Sequence, residues 1–429
     1  MSESVSATIW PVIVIGGGPA GMMAAATAAA RGQRVLLLEK NDSLGKKLLI
    51  TGGGRCNLTN AETEVRPFLA KFRDQGKFLF SAFAHWSVAE TLKFFHERGL
   101  ATKVENEGRV FPISDSARSV WEVLVAELKQ YQVTVNSRVA VRDLAVEAGR
   151  VVGVILKNNQ VLRAEAVVVA TGGTSRPETG STGDAYPWLK RLGHTIIEPT
   201  PSLVPLAIKD RWVSRLAGLT LPTVKLTVWQ SGVKQQSVKG KILFTHVGVS
   251  GPSILNLSKE IGELLKYGEV LLTIDLWPTL DHGQANRALQ ELFLAQAKKK
   301  LVNALSQNLP AALATIVVEL SGIDGERRGS ELRREERLKL IELIKNFPLR
   351  VSHLLGVEKA IITSGGVTLD EVDFKTMRSR LHPNLFLIGD VLNIDRPSGG
   401  YSLQLCWTTG FVAGQELAYN PKQKEAERR

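Results

Sequence analysis

The first forty residues carry apolar positions in short unbroken runs, and the middle of the chain carries them in alternation with polar ones. Val12 to Ile15 is a continuous apolar run that stops at glycines, and an alanine-rich stretch follows it. That order predicts a buried strand over 12–15 and a helix over 19–31, and Val35 to Leu38 predicts a second buried strand. A period near 3.6 predicts an amphipathic segment over 88–98 and a helix over 117–130, followed by a strand over 133–136. Residues 139–144, 151–157 and 161–164 alternate apolar with polar, as in a half-exposed antiparallel sheet. Ala166 to Ala170 is unbroken, and predicts another buried strand of the main sheet.

Pro199, Pro201 and Pro205 then suppress helix and stiffen the chain, which predicts a crossing into another domain. Beyond it, 225–229, 241–245 and 271–276 read as strands, and 281–346 as helices with apolar stripes. A strand-like return at 360–363 leads to Ser364-Gly365-Gly366-Val367, then a buried strand over 385–388 and a closing helix over 408–418. The expected domains are a discontinuous α/β domain of 1–198 and 364–429, a β-rich insert of 199–280 and 347–363, and a helical domain of 281–346.

Composition adds exclusions. A chain of 429 residues, 44% hydrophobic and 22% charged, has material for two or three globular domains. Met1 to Thr8 has no basic start and no apolar run approaches a membrane span, so a cytoplasmic location without a span is expected. Two cysteines, Cys56 and Cys406, lie far apart with no CxxC, which excludes a cysteine zinc site and a vicinal dithiol; no metal is expected. The formal charge of +12 raises nucleic acid as a partner. Around 326–345, however, Arg327, Arg328, Arg333 and Arg334 are interleaved with Glu331, Glu335 and Glu336, the pattern of a solvated, ion-paired helix face. A small-molecule substrate is the expected partner instead.

Gly16, Gly18 and Gly21 form GxGxxG between strand and helix, with Glu39 closing the next strand. Gly16 permits the tight turn, Gly18 lets backbone approach a pyrophosphate, Gly21 lets helix meet strand, and Glu39 can accept from a ribose hydroxyl. Pro19 and Ala20 begin the helix that points at the pyrophosphate, and Lys40 and Lys46 add cations nearby. Ala170-Thr171-Gly172 ends a buried strand with a close turn, while Gly389-Asp390 ends another with a glycine and an acid suited to a ribityl chain. Gly54-Arg55-Cys56-Asn57 offers a donor fork after a glycine triplet. Arg396 to Gln404 precedes the closing helix, whose N–H groups can meet the anionic edge of a reduced flavin. Together these point to FAD, bound without a covalent link.

The blocks GGGPAGMMAA, LGKKLLITGGGRCNLTN, VVVATGGTSRPETGSTGDAY, PTPSLVPL, FTHVGVSGPSILNLS, TSGGV and LIGDVLNIDRPSGGYSLQLCWTTG run over nearly the whole chain. In them the chain resembles the YhiN/BaiN-like, aminoacetone-oxidase-like family within the two-dinucleotide-binding-domain flavoproteins. The resemblance implies an α/β fold with a split Rossmann-like FAD-binding domain, a β-barrel-like insert and a small helical domain. It implies that Gly16, Gly18, Gly21 and Glu39 hold the ADP part and that Val139 offers backbone to adenine. Arg55, Cys56, Asn57, Gly389, Asp390, Gly400, Tyr401, Ser402, Leu403 and Gln404 would then surround the ribityl chain and the ring.

No second GxGxxG follows a strand, so NAD(P)H is expected only as a transient donor. His246, in Phe244-Thr245-His246, is a substrate-side proton carrier or else a structural loop histidine, with Tyr401 and Arg396 as alternatives. The resemblance implies either an NAD(P)H-dependent reductase of a 3-oxo, bile-acid-like enone or an oxidase of a small aminoketone using oxygen. The basic charge alone suggests a third reading, a flavin-containing RNA-binding or RNA-modifying protein.

Overall fold

The computed structural model describes residues 9–356 and 358–417; the octapeptide Met1 to Thr8 and the end of the expected closing helix at residue 418 lie outside them. The described chain forms two compact units, residues 9–202 with 360–417, and Leu203–Lys359.

The first unit is built on a sheet of β1 (Trp10–Ile15), β2 (Val35–Glu39), β3 (Thr134–Ser137), β4 (Val141–Glu147), β5 (Arg150–Leu156) and β6 (Val161–Val169), in the order β3-β2-β1-β6-β5-β4. The strand Leu385–Leu387 pairs parallel with the end of β6. β1 runs parallel to β2, with Val12 opposite Val35, and to β6, with Val14 opposite Val168. The sequence pattern splits β6 in two, at 161–164 and 166–170, because its period changes midway. The structure makes it one strand whose first half pairs antiparallel with β5 and whose second half is the buried parallel centre. One face change explains both periods.

Helix α1 (Pro19–Ala30) is buried on nearly every side, which is why it is alanine-rich rather than amphipathic. The C-terminal helix Tyr401–Leu417 lies directly on it. A Cβ on Gly410 would sit 2.5 Å from Ala20 O, and one on Gly414 would sit 2.6 Å from Ala24 O, so both positions must be glycine for that approach. This helix starts at Tyr401 rather than at 408, because Gly399 and Gly400 take φ of +122° and +101° and stop the preceding loop. The proline-bearing segment Ile196–Ser202 is a strand, paired antiparallel with Ile362–Val367 across a bulge between Ile197 and Thr200. Prolines are tolerated there because the ribbon has only two strands.

In the second unit β7 (Leu206–Ile208), β8 (Thr220–Gln230), β9 (Val233–Phe244), β10 (Gly248–Ser250), β11 (Val270–Asp275) and β12 (Phe347–Leu354) close a barrel in the order β7-β10-β9-β8-β11-β12. Val224, Leu226 and Val228 of β8 point inward, and Lys225, Thr227 and Trp229 alternate with them on the outside. The helices His282–Ala295, Ala311–Ser321 and Arg334–Lys345 share one hydrophobic core with these strands through Leu289, Ile316, Ile344 and Phe347. No helix among the described residues is long and apolar enough to cross a membrane.

Candidate functional site

An open cleft of about 1140 Å³ lies in the first unit, at the carboxyl ends of β1, β2, β6 and Leu385–Leu387. Gly16, Gly18, Pro19, Ala20, Glu39, Lys40, Lys46, Val139, Ala170, Thr171, Gly172, Gly389, Asp390, Ser402 and Leu403 line it. The fold brings these fifteen expected residues together from six separate stretches of sequence.

At one end is the turn from β1 to α1. Gly16 has φ +105°, and a Cβ there would sit 2.5 Å from Ala170 O, so the turn is pressed against the end of β6. Gly21 faces inward, where a Cβ would come within 1.9 Å of Gly16 O. A Cβ on Gly18 would meet no protein atom within 4 Å, because it would project into the cleft. No side chain caps α1, so its first N–H groups and the positive end of its dipole are available to an anion. Glu39, 7% exposed, accepts from Gly17 N at 2.8 Å with one oxygen and from Asn41 N and Nδ2 at 2.8 Å with the other. It therefore fixes the glycine turn as well as facing the cleft. Val139 donates its own N–H to Glu39 O at 2.9 Å, which leaves the carbonyl as its offer to a ligand.

At the other end, Arg396 donates to one oxygen of Asp390, and Lys47 Nζ lies 3.6 Å from the other. Burial alone would raise Asp390, but the two cations outweigh it and hold the carboxyl below its usual range. Burial likewise pulls Lys47 down, against the opposing pull of Asp390. Lys47 Nζ also donates to Ser175 Oγ at 2.7 Å. Lys40 meets Asp184 at 2.6 Å, and Lys46 meets Asp42 at 2.9 Å. Back beside the Gly16 turn, Thr171 Oγ1 is buried with no hydrogen-bond partner among the described residues.

Several expected residues do not line the cleft. Arg55 donates to Glu105 and Asp115 at 2.5 Å each and stacks 4.2 Å from the Phe111 ring centre, so its donor fork is occupied. Cys56 is fully buried, and burial pushes its thiol up to about 12, which removes it as a nucleophile. The Asn57 amide, oriented by its neighbours, donates to Val110 O and Thr59 O and accepts from Gly400 N. Gln404 is fully buried and bonds Thr59, Thr91 and Thr408. Gly400 is a close approach, with a Cβ position 2.2 Å from Thr59 O, while Gly54 lies on the neighbouring loop. Tyr401 packs 4.8 Å from Phe68 and edge-on to Phe72, and Arg396 has no exposed side-chain surface. Those two belong to the framework. His246 lies in the second unit, exposed, in the turn between β9 and β10 that Thr245 closes through its N–H to Gly248 O. Lys47, Asn41, Ser181, Trp188 and Cys406 also line the cleft. Lys47 had one signal, its place beside Lys46, but the pair does not say that Lys46 meets Asp42 while Lys47 reaches Asp390 and Ser175.

A parallel sheet ending in a glycine turn, with an acid on the second strand and a cleft across the strand ends, defines a dinucleotide-binding α/β protein. The description "HI0933-like protein Rossmann domain" matches residues 10–416, and the chain belongs to this family of FAD-dependent flavoproteins. It is an FAD-dependent oxidoreductase of that family. It is 32% identical over 389 residues to a 3-dehydro-bile acid delta(4,6)-reductase of Clostridium scindens, covering 90% of this chain and 93% of the relative. It is 30% identical over 411 residues to a ribosomal RNA dihydrouridine synthase of Escherichia coli, covering 94% and 97%. Among solved structures, the fold is shared with the open form of a flavocytochrome c3 fumarate reductase, with TM-score 0.54, 17% identity and coverage of 97% of this chain and 79% of that one. It is shared also with 3-ketosteroid delta1-dehydrogenase of Sterolibacterium denitrificans, with TM-score 0.54, 15% identity and coverage of 96% and 99%.

The cleft fits FAD. The uncapped helix start would accept a diphosphate, Gly18 leaves space for it, and the Thr171 hydroxyl beside the glycine turn and the Asp390 carboxylate at the other end would supply polar contacts.

Proposed function

We propose that this enzyme reduces a carbon–carbon double bond conjugated to a carbonyl, with NAD(P)H as the source of the electron pair. FAD, when bound, supplies two-electron hydride chemistry. The net change adds a hydride equivalent to the β carbon and a proton to the α carbon. The observation that carries this reading is the pair of relatives at 30% identity or more over at least 90% of the chain. One is named for reducing an unsaturated 3-oxo bile acid, and the other for making dihydrouridine, which is uridine with two hydrogens added beside a carbonyl. Two such products share one bond chemistry.

The chain's own residues hold and orient. Gly16, Gly18, Pro19, Ala20, Gly21, Glu39, Lys40 and Lys46 would bind the ADP half, Gly389, Asp390, Ser402 and Leu403 the ribityl half, and Thr171 and Gly172 would turn close against the cofactor. Lys47 and Arg396 would keep Asp390 ionised, so that it accepts from a hydroxyl. Of the three proton-carrier candidates, His246 has an exposed ring, whereas Tyr401 and Arg396 are committed to packing and to Asp390. We assign the α-carbon proton to His246.

A second reading places the double bond in a uridine of RNA. Its specific support is the +12 charge together with lysines on the outer face of the barrel that pair with no carboxylate among the described residues. The sequence pattern sets nucleic acid aside because of the ion-paired helix near residue 334, but these lysines lie on strands elsewhere.

Anaerobic stopped-flow mixing with NADH and NADPH, followed by an enone steroid or uridine-containing ribosomal RNA, tests both readings. Bleaching by one nucleotide and recovery of the flavin band with a product two mass units heavier is expected. Bleaching by aminoacetone and by neither nucleotide would establish the oxidase reading instead.

A further inference from the structure

We infer that the outer face of the β8–β9 ribbon is a docking surface for single-stranded RNA; this rests on the RNA reading above. On that face Lys225 stands directly opposite Lys239, Thr227 opposite Ser237, and Trp229 opposite Lys234, while Lys241 follows Lys239 at the next outward position. Like charges directly opposed across strands destabilise a sheet, and an outside anion would relieve that cost. Among the described residues, none of these four lysines forms an ion pair. Asp275, opposite Lys225 on β11, meets Lys345 at 2.7 Å.

Trp229 supplies the second element of a nucleic-acid surface. Its Nε1 donates to Thr273 Oγ1 at 2.9 Å, which pins the half-exposed indole against the sheet. The ring borders a groove with Lys209 and Arg350, which pair with Glu269 and Asp210. An aromatic plate held on a strand, with Lys234 directly opposite it, matches the way unpaired bases stack while lysines track the phosphates. Duplex RNA keeps its bases stacked on one another and has no use for the indole. An anionic membrane is the competing occupant, but the turn between the strands is Ser231-Gly232, and Thr227 and Ser237 bond each other on the same face. That face is polar rather than apolar.

The test uses the full-length, FAD-loaded protein and a fluorescein-labelled, unstructured uridine-rich RNA of twenty nucleotides, with anisotropy read at several salt concentrations. Lys225→Gln with Lys239→Gln is expected to lower the salt slope by about 1.4, two contacts at roughly 0.7 each for a single strand. Trp229→Ala is expected to weaken binding about 5- to 100-fold, with Trp229→Phe recovering most of it. Lys298→Gln with Lys299→Gln, which removes the same charge from an exposed site, is expected to leave affinity within about twofold. All variants should keep wild-type rates of flavin reduction by the nicotinamide donor, which checks that they fold. Equal losses in the control pair, or binding of phosphatidylserine vesicles that the ribbon variants abolish while RNA binding is unchanged, would overturn the surface. If RNA binds here but gains no dihydrouridine by mass spectrometry, the surface stands and the RNA-substrate reading fails. If RNA is reduced while the ribbon variants bind it normally, the reading stands and the surface fails.

Discussion

Arg396 donates to Asp390 across a six-residue loop, and neither side chain is more than 13% exposed. Arg396 also donates to Ser402 Oγ at 3.0 Å and Ile394 O at 2.7 Å, so it ties the end of the Leu385–Leu387 strand to the start of the C-terminal helix. Replacing it with leucine leaves a buried carboxylate with only the more distant Lys47. Breaking a buried pair from one side costs about 3 kcal/mol. Arg396→Leu should therefore lower the urea midpoint by that equivalent and weaken FAD retention on dialysis; an unchanged midpoint would show that Asp390 is neutral.

Gly18 and Gly21 should separate binding from folding. Gly18→Ala adds a methyl that touches no protein atom, so stability should change by less than about 0.5 kcal/mol while FAD affinity falls. Gly21→Ala drives a methyl to 1.9 Å from Gly16 O and should destabilise the apoprotein by about 1–3 kcal/mol. Apoprotein melts and flavin titrations of the two variants distinguish them.

His194 gives a pH dependence. Its Nδ1 lies 2.9 Å from Glu371 Oε2 and its Nε2 2.9 Å from Ser379 Oγ, a serine–histidine–glutamate chain. Ser379 is 2% exposed and accepts from the N–H groups of Leu381 and His382, so the chain is a brace rather than a nucleophilic site. Burial pulls the His194 pKa below its ordinary value despite the opposing pull of Glu371. The unfolded chain takes up this proton below about 6.5 while the folded chain does not, so stability should decline from about pH 6.5 downward. Urea midpoints between pH 7.5 and 5 check this, and His194→Gln should flatten that part of the profile.

His246→Ala should leave flavin reduction by the nicotinamide unchanged and slow substrate reduction by about 10²-fold or more, the usual scale of a lost proton carrier. Equal rates in both half-reactions would remove His246 from the chemistry.

Arg55→Ala should leave FAD affinity unaltered, because its guanidinium is occupied by Glu105, Asp115 and the Phe111 ring. A loss of affinity comparable to Gly18→Ala would mean that the ion pairs open when the cofactor binds. Flavin titration decides between these.

The parallel strands were legible because a strand buried on both faces must be apolar at every position, as Val12 to Ile15, Val35 to Leu38 and Ala166 to Val169 are. β9 was read only at its last residues, since Val233 to Lys239 has one face in water and carries glutamines and lysines. The start of the C-terminal helix was placed seven residues late, because Tyr401 to Trp407 is buried all round and shows no helical stripe.

The glycine turn, Glu39, the Thr171 and Asp390 strand ends and the flavoprotein fold class were determined by the sequence itself. Each is a local demand, either of backbone geometry or of a buried strand's side chains, and local demands leave local patterns. Tertiary structure decided which polar residues face the cleft. Lys47 turns in, Arg55 is held by carboxylates fifty and sixty residues away, and Arg396 and Gln404 become buried braces. Those roles depend on partners distant in the chain, and no spacing within a segment records which partner will arrive.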